Sequence, residues 1–588
     1  MSANTRFGSE LHADGVTFRL WAPAAKRVEL LLERAHPMRP HPEGWYETTI
    51  AGARAGTLYK YRIDGEIDVP DPGSHFQPED VSGPSEVIDH AKFAWRAKDW
   101  RGRRWQETAI LELHAGTFTP GGSFRSAIEK LDHVRETGLT AIELMPIADF
   151  AGRYNWGYDG VLPYAPDSAY GRPEDLKALI DAAHLRGLMV FLDVVYNHLG
   201  PEGNYLPRYA PRFFASTETP WGHAIDYRVP QVRAFAIENA LHWLRTYRFD
   251  GLRLDAVHAI AEPGEPSILH DLSRVVGELA AVSGRMIHLM VENDDNRASL
   301  IDPDADPPQG KYRAQWNDDY HHAWHLLLTG EDKGYYQDYA PDPRRHIARV
   351  LGSGFAYQGE VSAHRKGRRR GEPSGALSPL AFVDFLQNHD QIGNRPLGNR
   401  LSTQADESAL AAALAVTLLA PMPPLLFMGE EWGSTRPFPF FCDFHGELGE
   451  AVRRGRRQEF EQAYAEAGGE IPDPLAEETF RSAVLDWDAR ARPAGRKRLA
   501  LVRDLLTTRR RELAPRLAGT KFGAARCEDC VLTAHWRLGD GRTLMLLANL
   551  SAASVERPGL LPSGQPIWGG EPQQRLPPWS VFWSIGDR

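Results

Sequence analysis

From about residue 108 to 500, short apolar runs alternate with longer stretches in which apolar residues recur every three or four positions. The short runs are AILELH ending at His114, TAIELM at Met145, MVFLDVVYN at Asn197, FDGLRLD at Asp255, IHLMVE at Glu292, YRAQWN at Asn317, FVDFLQN at Asn388 and PLLFM at Met428. Runs of this length without polar alternation predict strands buried on both faces. Phe124–Thr137, Glu174–Arg186, Gln231–Tyr247 and Leu269–Val282 carry the 3.6-residue spacing of helices with one buried face. Eight strands mostly separated by helices predict an α/β fold, a (β/α)8 TIM barrel with long insertions. A doubly wound open sheet is the competitor, but no glycine-rich phosphate loop follows the first strand.

The flanks change period. Val16–Trp21, Arg27–Leu32 and Leu58–Ile63 read as short strands, with Asp64-Gly65 as a turn signal. Cys530–Trp536, Thr543–Ala548 and Ser580–Trp583 do the same near the other end. The predicted division is an N-terminal β-sandwich over 1–95, a catalytic barrel over 96–510 and a C-terminal all-β domain over 511–588. The apolar stretch Ala409–Met428 is broken by Pro421, Pro423 and Pro424. It predicts a buried helix followed by a strand rather than a membrane span.

Composition narrows the function classes. A formal net charge of -10 argues against a nucleic-acid partner. Only three cysteines, and a polar N-terminus without a secretory signal, point to a reducing, cytoplasmic setting and no membrane association. Cys527 and Cys530 form a C-x-x-C without a second ligand pair, so no zinc is expected there. Asn197 offers one calcium ligand, but no further oxygen set completes a site; no cofactor and no required metal are expected. The basic run His364–Arg370 is expected to be a solvated loop.

The chemistry lies at the strand ends, where barrel enzymes carry their reacting groups. The third strand ends Asp193-Val-Val-Tyr-Asn197-His198, the fourth Arg253-Leu-Asp255-Ala-Val-His258, the fifth Glu292-Asn-Asp-Asp295 and the seventh Gln387-Asn-His389-Asp390. Residues two apart on a strand share a face, so Arg253 sits beside Asp255 and keeps that carboxylate ionised. An ionised carboxylate next to a protonated one is the pair that breaks a glycosidic bond with retention. Asp255 is the candidate nucleophile, Glu292 the acid/base, and Asp390 a third acid that binds sugar hydroxyls. Asp294 and Asp295, past the strand, are expected to cap it or bind substrate.

These four clusters, in this order, resemble the four motifs of the α-amylase superfamily, glycoside hydrolase family 13. The N-terminal sandwich is similar to the starch-binding-like module of its branching and debranching members. The resemblance implies that His198 and His389 hydrogen-bond the sugar, that Arg253 orients Asp255, that Tyr158 in Trp156-Gly-Tyr-Asp-Gly160 stacks on it, and that Asp193 holds Arg253. Within the superfamily, His114–Pro120, Asp318-Asp-Tyr-His-His322, Gln387–Pro396 and Phe440–Asp443 resemble the maltooligosyltrehalose trehalohydrolases. That family hydrolyses the α-1,4 bond next to a terminal trehalose unit, which implies maltooligosyltrehalose as substrate and a pathway link to a maltooligosyltrehalose synthase. The implied lining of the trehalose side is His258, Asp318, Asp319, His321, His322, Gln391 and Asn394, with Trp221, Trp316 and Trp432 as stacking platforms. Val291-Glu292-Asn293 departs from the Ala-Glu-Asp expected around the acid/base. The alternatives are a branching or debranching enzyme on the same barrel and a non-catalytic glucan-binding homologue; the latter normally lacks one of the three carboxylates.

Overall fold

The structure, a computed structural model, describes residues 6–219, 222–260, 266–305, 309–459, 471–556 and 564–587. Eight parallel strands close a barrel: β1 (Ile110–Leu113), β2 (Ala141–Leu144), β3 (Met189–Val194), β4 (Gly251–Leu254), β5 (His288–Val291), β6 (Ala314–Trp316), β7 (Phe382–Phe385) and β8 (Pro424–Phe427). β8 pairs back onto β1. Every strand residue is buried, because helices cover the outside and side chains fill the inside. Asp193 on β3 lies opposite Arg253 on β4, which lies opposite Met290 on β5. This register brings the ends of the three strands to one rim. Asp255 and Glu292 are each the first residue beyond their strand, where the backbone leaves the barrel wall.

The helices around this rim are α1 (Leu131–Thr137), α2 (Pro173–Leu185), α3 (Pro230–Thr246), α4 (Ile268–Ser283), α5 (Asp318–Thr329), α6 (Pro343–Ser353), α7 (Glu407–Leu419) and α8 (Pro493–Thr508). α2, α3 and α4 follow the predicted periodicity, whereas the predicted helix Phe124–Thr137 is broken into Phe124–Ile128 and α1. α2 and α3 open with proline at the first turn, where no backbone N–H is missed. α4 starts where the Ser267 side chain accepts from the His270 N–H and stops at Gly284, whose φ of 63° ends the helical path. The apolar run Ala409–Met428 is α7 followed by β8. α7 is apolar on nearly all sides because it is buried between the barrel and the C-terminal sheet. Among the described residues no helix is long and apolar enough to cross a membrane.

Before the barrel stand two antiparallel sheets, one built on Gly15–Trp21 and Trp45–Ala51, the other on Val28–Leu31 and Leu58–Ile63. Phe18 and Tyr59 meet between them at 4.7 Å, and Phe7 reaches Phe235 of α3 at 4.9 Å, edge to face. After the barrel comes a five-stranded antiparallel sheet. Its Trp536 and Trp583 stack at 5.6 Å. Their indole N–H groups donate to the Leu351 carbonyl of α6 (2.9 Å) and the Ala415 carbonyl of α7 (3.1 Å). Cys527 and Cys530 flank the turn of its first hairpin, and both are free thiols.

The two tryptophans fasten this sheet to the barrel. Trp583→Ala is expected to lower stability by about 3–5 kcal/mol, from lost burial and the cavity left in a dry interface. Denaturant unfolding followed by tryptophan fluorescence measures it.

Candidate active site

The site is built around one buried cation. Arg253 is fully enclosed, and its Nη1 donates to Asp193 (2.6 Å) and to Asp255 Oδ1 (2.8 Å). Its Nη2 donates to Glu292 Oε2 (3.0 Å). The guanidinium lies 4.3 Å over the Trp316 ring, which closes it off from below. Asn197 donates to the other oxygen of Asp255 (2.9 Å). Beyond Asp255 the chain turns through Ala256, whose φ of 40° is uncommon for a residue with a side chain. That turn aims the Ala256 N–H at Glu292 Oε2 (2.8 Å). Both donors to Glu292 use Oε2, so among the described residues Oε1 accepts from none.

The two carboxyl groups are tuned in opposite directions. Burial pushes Asp255 up, but the Arg253 charge and the Asn197 hydrogen bond outweigh it and hold Asp255 below the usual carboxylate range. Burial likewise pushes Glu292 up; Arg253 opposes this, while Asp255, Asp390 and Asp318 add to it, and Glu292 ends well above its ordinary value. The contact to Arg253 does not require an ionised Glu292, because a carboxylic acid oxygen also accepts from a guanidinium already neutralised by Asp193 and Asp255. The side chains of Asp255 and Glu292 stay 12% and 17% exposed, enough for a ligand to touch both.

One wall of the rim is aromatic. Gly157 has φ 101°, and a Cβ there would stand 1.9 Å from the Pro146 carbonyl oxygen. Glycine therefore permits the turn that brings Tyr158 back over the barrel, stacked on His389 at 5.1 Å and donating to Asp193 at 2.7 Å. His198 Nε2 bonds the Tyr158 carbonyl (2.9 Å), and its Nδ1 meets the Asn197 side chain. His389 is bound by Glu112 of β1 and lies 3.4 Å from Asp390. Burial lowers its pKa, but Asp390 and Glu112 together raise it to about 9. It is a cation at neutral pH.

On the other side of Glu292 opens a polar cleft of about 250 Å³, lined among others by Asp294, Asp318, His322, Asp390, Gln391 and Asn394. Asp318 is pushed up to about 7, first by burial and then by Asp294 and Asp390. Most of the basic run is exposed, as expected of a solvated loop, but Arg365 is half-buried and Arg370 buried. Glu360–Val361 pairs with Arg369–Arg370, and Arg365 and Arg370 line the cleft. Arg365 bonds Asp294 and holds Asp295 at 2.7 Å; Arg370 holds Asp294 at 3.0 Å and Asp319 at 2.9 Å. Two arginines meet three aspartates there, which a glycine-flanked basic run does not reveal without its partners.

A family model described as the alpha amylase catalytic domain matches residues 89–221. The carbohydrate-binding module 48 (isoamylase N-terminal domain) model matches 6–77, and a domain of unknown function, DUF3459, matches 521–583. The chain is 40% identical to the malto-oligosyltrehalose trehalohydrolase of Rhizobium sp. (strain M-11) over 96% of both chains. It is 42% identical to that of Deinococcus radiodurans over 85% of this chain and 81% of the relative. The chain belongs to the malto-oligosyltrehalose trehalohydrolase family. It is thus a glycoside hydrolase of the α-amylase type. A crystal structure from Salmonella typhimurium, provisionally described as an alpha amylase, superposes with a TM-score of 0.94 at 44% identity over 99% of each chain.

Of the residues expected at a trehalohydrolase site, Asp255, Glu292, Asp390, Tyr158, His198, Arg253, His389, Asp318, His322, Gln391 and Asn394 gather at this rim and cleft. His258 is exposed at its edge, accepting from the Asp294 N–H (3.3 Å). Asp319 and His321 need correction. Both are fully buried: Asp319 accepts from Asn296 and the Ala356 and Tyr357 amides, and His321 bonds the Leu386 carbonyl and Tyr336. The reason is helical phase. Positions 318 and 322 share the cleft face of α5, while 319 and 321 turn away from it. Trp316 and Trp432 are likewise core side chains, not platforms; Trp432 packs on His133 and Trp487. Trp221 lies outside the described residues. The sequence reading missed Glu112, Tyr335 and Arg370; the last two had a signal only in the aromatic and basic clusters around them.

A lysine in place of Arg253 keeps the charge but cannot reach three carboxylates with a planar fork. Arg253→Lys is expected to lower kcat roughly 10²–10³-fold with near-native circular dichroism. Steady-state rates at saturating substrate check this.

Proposed function

We propose that the chain hydrolyses the α-1,4-glucosidic bond beside the terminal trehalosyl unit of maltooligosyltrehalose, releasing trehalose with retention at the anomeric carbon. The observation that carries this reading is the pair Asp255 and Glu292, held on one guanidinium in opposite protonation states. The substrate follows from the names of the family relatives. Asp255 attacks the anomeric carbon as Glu292 passes its proton to the departing trehalose oxygen. Glu292, now ionised, takes a proton from water, and that water cleaves the glycosyl ester and regenerates Asp255. Asp390, His198 and His389 hydrogen-bond the reacting sugar, and Tyr158 packs on its face. His389 pairs with Asp390 at 3.4 Å and holds it at the cleft, where its carboxyl offsets the positive charge that develops on the sugar ring.

Trehalose then occupies the polar cleft beyond Glu292, against Asp318, His322, Gln391 and Asn394. The substrate must be supplied by an enzyme that converts a reducing-end α-1,4 linkage into an α,α-1,1 linkage, a maltooligosyltrehalose synthase. The link is through the metabolite.

Incubation with maltooligosyltrehalose is expected to yield free trehalose, and Asp255→Asn to yield none; release of maltose alone would refute the substrate. Proton NMR should show the α-anomer at the new reducing end first. For pH, lowering it protonates Asp255 and removes the nucleophile, while raising it strips the proton from Glu292. The profile of kcat/KM should therefore be bell-shaped, with an alkaline limb above the usual glutamate range. Glu292→Gln should lose that limb when assayed on a glycosyl fluoride, whose leaving group needs no acid.

A further inference from the structure

Away from the cleft, three histidines from separate parts of the chain meet where the N-terminal sheets dock on the barrel. His75 comes from the loop after strand Ile67–Val69, His90 from the turn His90–Lys92, and His242 from α3. One ring nitrogen of each lies within 4.8 Å of the other two. The ring centroids are 4.6, 5.0 and 5.5 Å apart. Three imidazoles on a tetrahedral ion, with bonds of about 2.0–2.1 Å, have centroids about 5 Å apart, so the triangle already has that size. His90 Nε2 and His75 Nδ1 stand 3.3 Å apart, near the tetrahedral edge of about 3.4 Å that those bonds require.

The surroundings match as well. His242 Nε2 lies 3.2 Å from the Tyr164 carbonyl, the contact that fixes the tautomer of a metal-bound histidine and leaves Nδ1 with its lone pair. Burial lowers His75 to about 4 and takes His90 and His242 well below their ordinary range, so all three rings are neutral at pH 7. Neutral imidazole is the form that binds a metal. The nearby cation, Lys177, directs its Nζ to the His90 carbonyl (3.0 Å) and lies over the Tyr247 ring at 5.5 Å.

We propose that His75, His90 and His242 form a structural Zn2+ site that ties the N-terminal sheets to α3 of the barrel. Water takes the fourth position. The ion acts on the docking of the sheets and not on the hydrolytic step, because none of the three side chains reaches the Glu292 cleft.

The test uses untagged full-length protein, incubated with a small molar excess of Zn2+ and then desalted. Elemental analysis should find one zinc per chain, and the thermal midpoint should rise by several degrees over the chelator-treated form. His75→Gln and His242→Gln should each lose the zinc, while Cys527→Ser should keep it. Zinc X-ray absorption on the parent protein, which does not depend on any variant folding, should fit nitrogen ligands at about 2.0–2.1 Å and no sulfur. Zinc absent from the parent, equally retained in both histidine variants, or bound through sulfur would each overturn the proposal.

Discussion

A guanidinium sealed inside a protein is tolerable only if anions meet it, and here three do. Asp193, Asp255 and Glu292 all reach Arg253. Three ionised carboxylates around one cation would leave a large negative excess in a dry place. The arrangement relaxes by keeping one of them protonated. Asp255 receives a further donor from Asn197 on its free oxygen. Asp193 and Glu292 each take both donors on one oxygen, but Glu292 is the one that burial and the carboxyls of Asp255, Asp390 and Asp318 push well up. The protonated group is therefore Glu292, whose second oxygen lies at the cleft with room for a leaving group. One cation thus holds two carboxyl groups tuned in opposite directions.

Everything nearby preserves that assignment. The parallel register of β3, β4 and β5 sets Asp193 level with Arg253 and brings Asp255 and Glu292 to the next step out, and the left-handed turn at Ala256 directs an amide to Glu292. Trp316 beneath the guanidinium excludes water, which keeps the electrostatic differences large. A second charge network, Arg365 and Arg370 against Asp294, Asp295 and Asp319, ties a hairpin to the lining of the cleft. Chemistry thus rests on strand ends, and the shape of the binding space on a loop insertion, the usual division of labour on this barrel.

The amino-acid order alone determined the barrel, its flanking β-layers and the reacting carboxylates. Unbroken apolar runs and 3.6-residue periods are local consequences of burial, and Arg253-x-Asp255 places two side chains on one face by strand geometry alone. The register-dependent facts were not legible. That Asp318 and His322 face the cleft while Asp319 and His321 face the core depends on how α5 is rotated, which a run of five polar and aromatic residues does not specify. Trp316 and Trp432 look like sugar platforms in one dimension and are core in three. Within the mostly exposed basic run, the pairing of Arg365 and Arg370 was hidden because their acidic partners lie far along the chain, at Asp294, Asp295 and Asp319. The histidines at 75, 90 and 242 have no motif at all. Only tertiary contact brings such groups together, since charge pairing and metal-ligand geometry act through space, whereas strand and helix periodicity act along the chain.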